Sequence, residues 1–151
     1  MLKNILEMDE SFLGQAGPSK MELFRKLQSM KILLVDDDEW IRDSLKHFFE
    51  SEGCPFAALG TAEQAIEEIR KNNYDIIFID YRLPGISGLD FLERIQDIYP
   101  NTMKVLLTAY MTEDVINKAV SMGVQDFIKK PFTSKHIEQS LHKLVESRAG
   151  H

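Results

Sequence analysis

From Lys31 onward, short apolar runs alternate with amphipathic stretches, and this alternation restricts the fold more than any other feature of the chain. The runs are Ile32–Val35, Cys54–Leu59, Ile76–Ile79, Val105–Leu107 and Phe127–Ile128. They are too short and too unbroken for amphipathic helices, so each reads as a buried strand. Between them Ile41, Leu45, Phe48 and Phe49 recur at helical spacing before Gly53. Ala62, Ala65, Ile66 and Ile69 do so after Thr61, whose Gln64 completes a capping-box pattern. Leu89, Leu92 and Ile95 form a third stripe ahead of Pro100, and Val115, Ala119 and Met122 a fourth ahead of the stop at Gly123. A last helix starts at Thr133 and Ser134 and turns Ile137, Leu141 and Leu144 inward. The expected fold is α/β: a doubly wound, five-stranded parallel sheet, (βα)5, with flavodoxin-like strand order 2-1-3-4-5.

Residues 1–30 read as a helical extension, 31–148 as the domain, and 149–151 as a tail. Within the extension, Asn4–Leu13 suits a short helix ended by Gly14, Gly17-Pro18 makes a break, and Ser19 with Glu22 caps a second segment striped by Leu23, Phe24, Leu27 and Met30. Two readings stay open: the extension packs against its own domain, or it offers a homodimer or partner contact. Met30 also stands where a start codon would suit the domain.

At 151 residues there is room for one domain with a substantial core. A net charge of −6 argues against general affinity for nucleic acid or anionic membrane. The lone Cys54 excludes an intramolecular disulfide and reads as a small buried hydrophobe. With no secretory or membrane-spanning pattern, the expected compartment is the cytoplasm. His47, His136, His142 and His151 lack metal-ligand spacing and read as solvated.

In this topology ligands bind beyond the carboxyl ends of the strands, at the switch point between strands 1 and 3. Asp36, Asp37 and Asp38 end the first strand there, and Asp80 ends the third. Two carboxylates about 4 Å apart repel by roughly 4 kcal/mol at an effective dielectric near 20, so a hard divalent cation is the natural remedy. Few protein ligands, several waters and a phosphate oxygen suit Mg²⁺. Thr108 ends the fourth strand with a hydroxyl and Lys130 follows the fifth with an ammonium, both suited to phosphoryl oxygens. Taken singly, each would be a helix cap or a solvated side chain. Together, at four strand ends, they describe a phosphate site.

The motifs VDD at Val35–Asp37, FIDYRLPGISG at Phe78–Gly88, LLTA at Leu106–Ala109 and KPF at Lys130–Phe132 resemble the response regulator receiver domain of bacterial two-component signalling. They are spread from Lys31 to about Ser147. The resemblance implies Asp80 as phosphoacceptor and Mg²⁺ held by Asp36, Asp37, Asp80 and the backbone carbonyl of Arg82, with Asp37 a direct ligand. It implies Thr108 as switch hydroxyl, Lys130 as phosphate-binding lysine, and Phe127 at the switch aromatic position without a phenol. Arg82 and Tyr110, two beyond the acceptor and two beyond the threonine, are implied to tune hydrolysis. Asp38 has no fixed family role and is expected to cap the first domain helix with Glu39 beside it.

The expected function is a phosphorylation-activated switch, not a multiple-turnover enzyme. The expected partners are a sensor histidine kinase or phosphotransfer protein and a downstream protein. The latter would bind the helix around Val115–Met122, the fifth strand and the last helix. A flavin module with this fold would need phosphate-binding donors where DDDEW presents acids. A pseudo-receiver acting without phosphorylation is the alternative. A DNA-binding output finds no helix-turn-helix after Lys143 and no basic stripe, so direct nucleic-acid contact is not expected.

Overall fold

Each apolar run becomes one strand of a single parallel sheet in the computed structural model, which describes residues 20–149. The strands are β1 (Ile32–Val35), β2 (Phe56–Leu59), β3 (Ile76–Asp80), β4 (Met103–Thr108) and β5 (Asp126–Lys129), in the order β2-β1-β3-β4-β5. All four pairings are parallel, with Leu34 opposite both Ala58 and Phe78, and Thr108 opposite Lys129. The helices are α1 (Lys20–Leu27), α2 (Glu39–Ser51), α3 (Ala62–Lys71), α4 (Gly88–Ile95), α5 (Glu113–Ser121) and α6 (Ser134–Ala149).

Alternate residues of the strands feed two separate cores. Ile32, Leu34, Ile76, Phe78, Val105 and Leu107 pack with α1, α2 and α6 on one face. Leu33, Val35, Ile77, Ile79 and Leu106 pack with α3, α4 and α5 on the other. This two-sided burial explains why β1, β3 and β4 are continuous apolar runs rather than alternating ones. The stripes expected on the helices point inward: Leu45, Phe49, Ala65, Ile69, Leu89, Leu92, Ile95, Ala119, Ile137, Leu141 and Leu144 are buried.

Strand edges differ from the sequence reading for local hydrogen-bonding reasons. β2 begins at Phe56, not Cys54, because the Cys54 N–H returns to the Phe49 carbonyl at 3.0 Å, around Gly53 at φ 72°, and Pro55 has no N–H. Cys54 is buried, and burial together with the Glu52 charge pushes its thiol up to about 11, as befits an inert apolar filler. β3, β4 and β5 are each longer than their apolar runs and carry polar residues at their carboxyl ends.

The caps also differ in detail. Asp38 accepts from the Trp40 and Ile41 N–H groups at 2.9 and 3.3 Å. Thr61 accepts from the Gln64 N–H at 3.1 Å, but the Gln64 side chain reaches back to Gly60 rather than to Thr61. Ser87 and Thr112 cap α4 and α5, roles the apolar stripes did not reveal. Before α6 the Thr133 N–H donates to His136 Nδ1 at 3.0 Å, so this exposed histidine supports a helix start.

Helix α1 is continuous with the first core. Leu23, Phe24 and Leu27 are buried, and Phe24 meets Phe48 edge-on at 5.7 Å. Lys20 pairs with Glu138 of α6 at 3.3 Å. Asn4–Leu13, the Gly17-Pro18 break, the Ser19 cap and His151 lie outside the described residues.

Burial at this level makes α1 part of what holds the sheet. Leu27→Ala is expected to cost ~2–5 kcal/mol, whereas Met21→Ala, at a side chain 76% exposed, should change stability by less than about 0.5 kcal/mol. Equilibrium urea unfolding of the two variants beside the parent checks this. Equal midpoints for all three would mean that α1 does not share the core.

Candidate functional site

The carboxyl ends of β1, β3, β4 and β5 bring the expected polar residues to one rim. Asp36 directly follows β1, Asp80 is the last residue of β3, Thr108 the last of β4, and Lys130 follows β5. Because β1 and β3 are neighbours whose helices leave on opposite faces, a crevice opens between their ends. One carboxylate oxygen from each of Asp36, Asp37 and Asp80 lies within 4.8 Å of the others. Asp36 is 0% exposed and Asp80 5%, whereas Asp37 faces solvent.

Lys130 ties the two buried acids together. Its Nζ lies 2.8 Å from Asp36 Oδ2 and 3.2 Å from Asp80 Oδ2. Burial alone would lower the lysine pKa, but the bonds and charges of Asp36 and Asp80 outweigh it and leave the ammonium raised. Asp80 is pushed up to about 6, first by burial and then by the charge of Asp36. Lys130 and the Arg82 N–H oppose that rise without cancelling it.

Hydrogen bonds hold each carboxylate in place. Asp36 Oδ1 accepts from the Asp38 N–H at 2.9 Å, and Asp80 Oδ1 from the Arg82 N–H at 3.2 Å. Asp36 Oδ2 is buried and has the Lys130 ion contact but no aligned hydrogen bond. Buried acids in this state suit a cation, since one ammonium shared by two carboxylates leaves net negative charge in a poorly solvated place.

Thr108 is 1% exposed, and its Oγ1 accepts from the Tyr110 N–H at 2.8 Å, leaving the hydroxyl proton to donate elsewhere. The Thr108 carbonyl accepts from the Lys130 N–H at 2.9 Å, which fixes the lysine backbone against the end of β4. Phe127 lies one strand over, half-buried against the second core. The Arg82 side chain stays out of the acid cluster and stacks on Tyr110, its guanidinium carbon 4.3 Å from the ring centre, while Tyr81 tilts against Tyr110 at 6.3 Å.

Two contributors escaped the sequence reading. Arg42, one turn into α2, donates Nη1 to the Asp36 carbonyl at 3.0 Å and pins the loop that carries the acids. Its position three residues inside a helix is no different from that of any solvated arginine. Gly88 sits where any Cβ would collide with the Asp80 carbonyl, so glycine lets α4 start directly against the end of β3. The glycine was visible in the motif, but its reason lies in the backbone approach.

Comparison with known proteins agrees with this geometry. The profile of the family described as response regulator receiver domain matches residues 32–142. Sporulation initiation phosphotransferase F of Bacillus subtilis is 30% identical over 119 residues, covering 79% of this chain and 96% of that protein. The cyclic di-GMP phosphodiesterase of Thermotoga maritima is 28% identical over 122 residues, and there the match spans only 33% of the relative's length. A CheY-like receiver domain from Methanospirillum hungatei superposes with a TM-score of 0.74 at 29% identity, covering 82% of this chain and all of that one. Among the described residues no helix is long and apolar enough to cross a membrane.

The raised Asp80 has a consequence for stability. A carboxyl whose pKa is about 6 in the folded protein and 3.8 ordinarily favours folding fully below 3.8, and loses that contribution as pH rises through 6. In a chelator, lowering the pH from 7 to 5 should therefore raise stability by an amount on the order of 1–2 kcal/mol through this group. Asp80→Asn should abolish that dependence and melt several degrees higher than the parent at pH 7. Thermal melts of both proteins across this pH range provide the check, and identical slopes would contradict the assignment.

Proposed function

This chain belongs to the response regulator receiver domain family, whose members are phosphorylation-dependent signalling switches, and we propose that Asp80 is its phosphoacceptor. The observation that carries this reading is the meeting of Asp36, Asp37 and Asp80 with Lys130 at one rim of the sheet. The proposed donor is a phosphohistidine on a sensor histidine kinase or phosphotransfer protein.

The donor set fits Mg²⁺: three carboxylates converge, two of them buried, and Asp36 Oδ2 lacks an aligned hydrogen bond. Asp37, Asp80 and the Arg82 carbonyl would hold the ion, with Asp36 behind them. Bound there, Mg²⁺ supplies positive charge beside the oxygens of the transferring phosphoryl group.

A carboxylate oxygen of Asp80 attacks phosphorus in line with the departing imidazole. The P–O bond forms as the P–N bond breaks, and the electron pair returns to the histidine nitrogen. The Arg82 N–H on Asp80 Oδ1 holds the carboxylate plane during this step. Lys130, already within ion-pair reach of Asp80, neutralises the charge that gathers on the phosphoryl oxygens.

The new group adds roughly 1.5–2 negative charges and strong acceptor oxygens at pH 7. Thr108 has a hydroxyl proton to offer them, and its inward movement would vacate space for Phe127. Since Phe127 belongs to β5, beside α5 and α6, that face is the proposed contact for the downstream partner. A few kcal/mol of difference between the two arrangements is enough to change which one dominates.

A small acyl-phosphate donor with Mg²⁺ should label the protein once, and Asp80→Asn should abolish the label. Mass spectrometry of the intact protein reads the outcome directly. A parent protein that failed to label would restore the phosphorylation-independent alternative. The Arg82 and Tyr110 stack should slow water attack on the phosphorylated state, so Arg82→Ala and Tyr110→Ala are each expected to speed phosphate loss several-fold. Decay time courses after removal of the donor measure this, and unchanged rates in both variants would rule the stack out as a barrier.

A further inference from the structure

Of the three clustered acids, Asp37 alone has no hydrogen bond or ion pair for its carboxylate among the described residues. It also faces solvent, where a free side chain has every rotamer open to it. Asp36 and Asp80 are held by Lys130 and by backbone N–H groups, yet an Asp37 oxygen still lies within 4.8 Å of theirs. Its placement must therefore come from its backbone.

That backbone is held from both sides. A peptide unit is planar, so whatever fixes the Asp36 carbonyl also fixes where the Asp37 N and Cα lie. The Asp36 carbonyl accepts from Arg42 Nη1 at 3.0 Å, in a part-buried position. On the far side of Asp37, the Asp38 N–H donates to Asp36 Oδ1 at 2.9 Å. Arg42 is rooted in the first turn of α2, where its N–H donates to the Asp38 carbonyl at 3.0 Å and the Asp38 side chain caps the helix. The segment from Asp36 to Arg42 is thus closed on itself, with Asp37 carried inside it.

Gly60, just after β2, makes room for this arginine. A Cβ there would stand 3.2 Å from Arg42 Nη1, tighter than an ordinary contact. The Gly60 N–H donates to Gln64 Oε1 at 3.2 Å, which holds the turn against the guanidinium.

We infer that Arg42 is a positioning residue for the metal site: by holding the Asp36 carbonyl it aims Asp37 at the crevice shared with Asp36 and Asp80, and so raises the affinity of this rim for Mg²⁺. Such positioning presupposes the proposed Mg²⁺ site, but not phosphoryl transfer to Asp80. Charge alone would act in the opposite direction, because removing a cation from beside an acid cluster lowers the repulsion that Mg²⁺ meets and tightens its binding. The sign of the effect separates the two.

Arg42→Met keeps the aliphatic stem and loses the donor, and it is expected to weaken Mg²⁺ binding by roughly tenfold. Arg42→Lys retains a donor at nearly the same reach and should recover most of the parent's affinity. Isothermal titration with magnesium chloride alone, without a phosphodonor, measures all three proteins, and thermal melts in a chelator show that each is folded. Equal or tighter binding by Arg42→Met overturns the inference, as does a lysine variant no better than the methionine one.

If Arg42→Met does not fold, Gly60→Val takes its place, since its side chain enters the space of the guanidinium while the arginine and its charge remain. It too should weaken Mg²⁺ binding several-fold, and an unchanged affinity there overturns the inference. A parent protein that takes up no Mg²⁺ refutes the metal site and the role of Arg42 together, whereas a parent that binds Mg²⁺ no better than Arg42→Met refutes the role of Arg42 alone.

Discussion

One ammonium shared between two buried carboxylates sets the terms for the rest of the molecule. Asp36 and Asp80 sit on adjacent strands, are almost wholly removed from water, and have Lys130 between them. Asp80 is hard to ionise there, because burial and the charge of Asp36 outweigh what Lys130 and the Arg82 N–H return. Stored electrostatic tension of this kind makes the site receptive to a dication and to any change in charge at Asp80.

The surrounding structure keeps that tension from relaxing. The backbone of Lys130 is hydrogen-bonded to Thr108, the loop after Asp36 is tied to Arg42, and Gly88 lets α4 abut the end of β3. Each tie comes from a different element, so the acids cannot move apart without disturbing several strands and helices together. The two apolar cores behind them provide the rigidity, and α1 enlarges the first of these by adding three buried side chains over α2 and α6.

The same helix links two regions that are far apart in sequence. Through Phe24 and Phe48 it connects the start of the described chain with the wall of a groove beside Lys130. Helix α1 thus packs against a side chain that also lines that groove.

Strand number, strand order and the identity of the polar residues at the strand ends were determined by the sequence alone. Two-sided burial demands unbroken apolar runs such as Ile32–Val35, and right-handed crossovers leave few ways to arrange five of them. Asp36, Asp37, Asp80, Thr108 and Lys130 were legible because each lies within two residues of the end of such a run. Local periodicity carries no information about contacts between elements. Only the tertiary structure decided that Lys130 bridges Asp36 and Asp80, that Arg82 turns from the acids onto Tyr110, that His136 supports the start of α6, and that α1 completes the first core. Those outcomes depend on distances across the sheet and between helices, which exist only once the chain has folded.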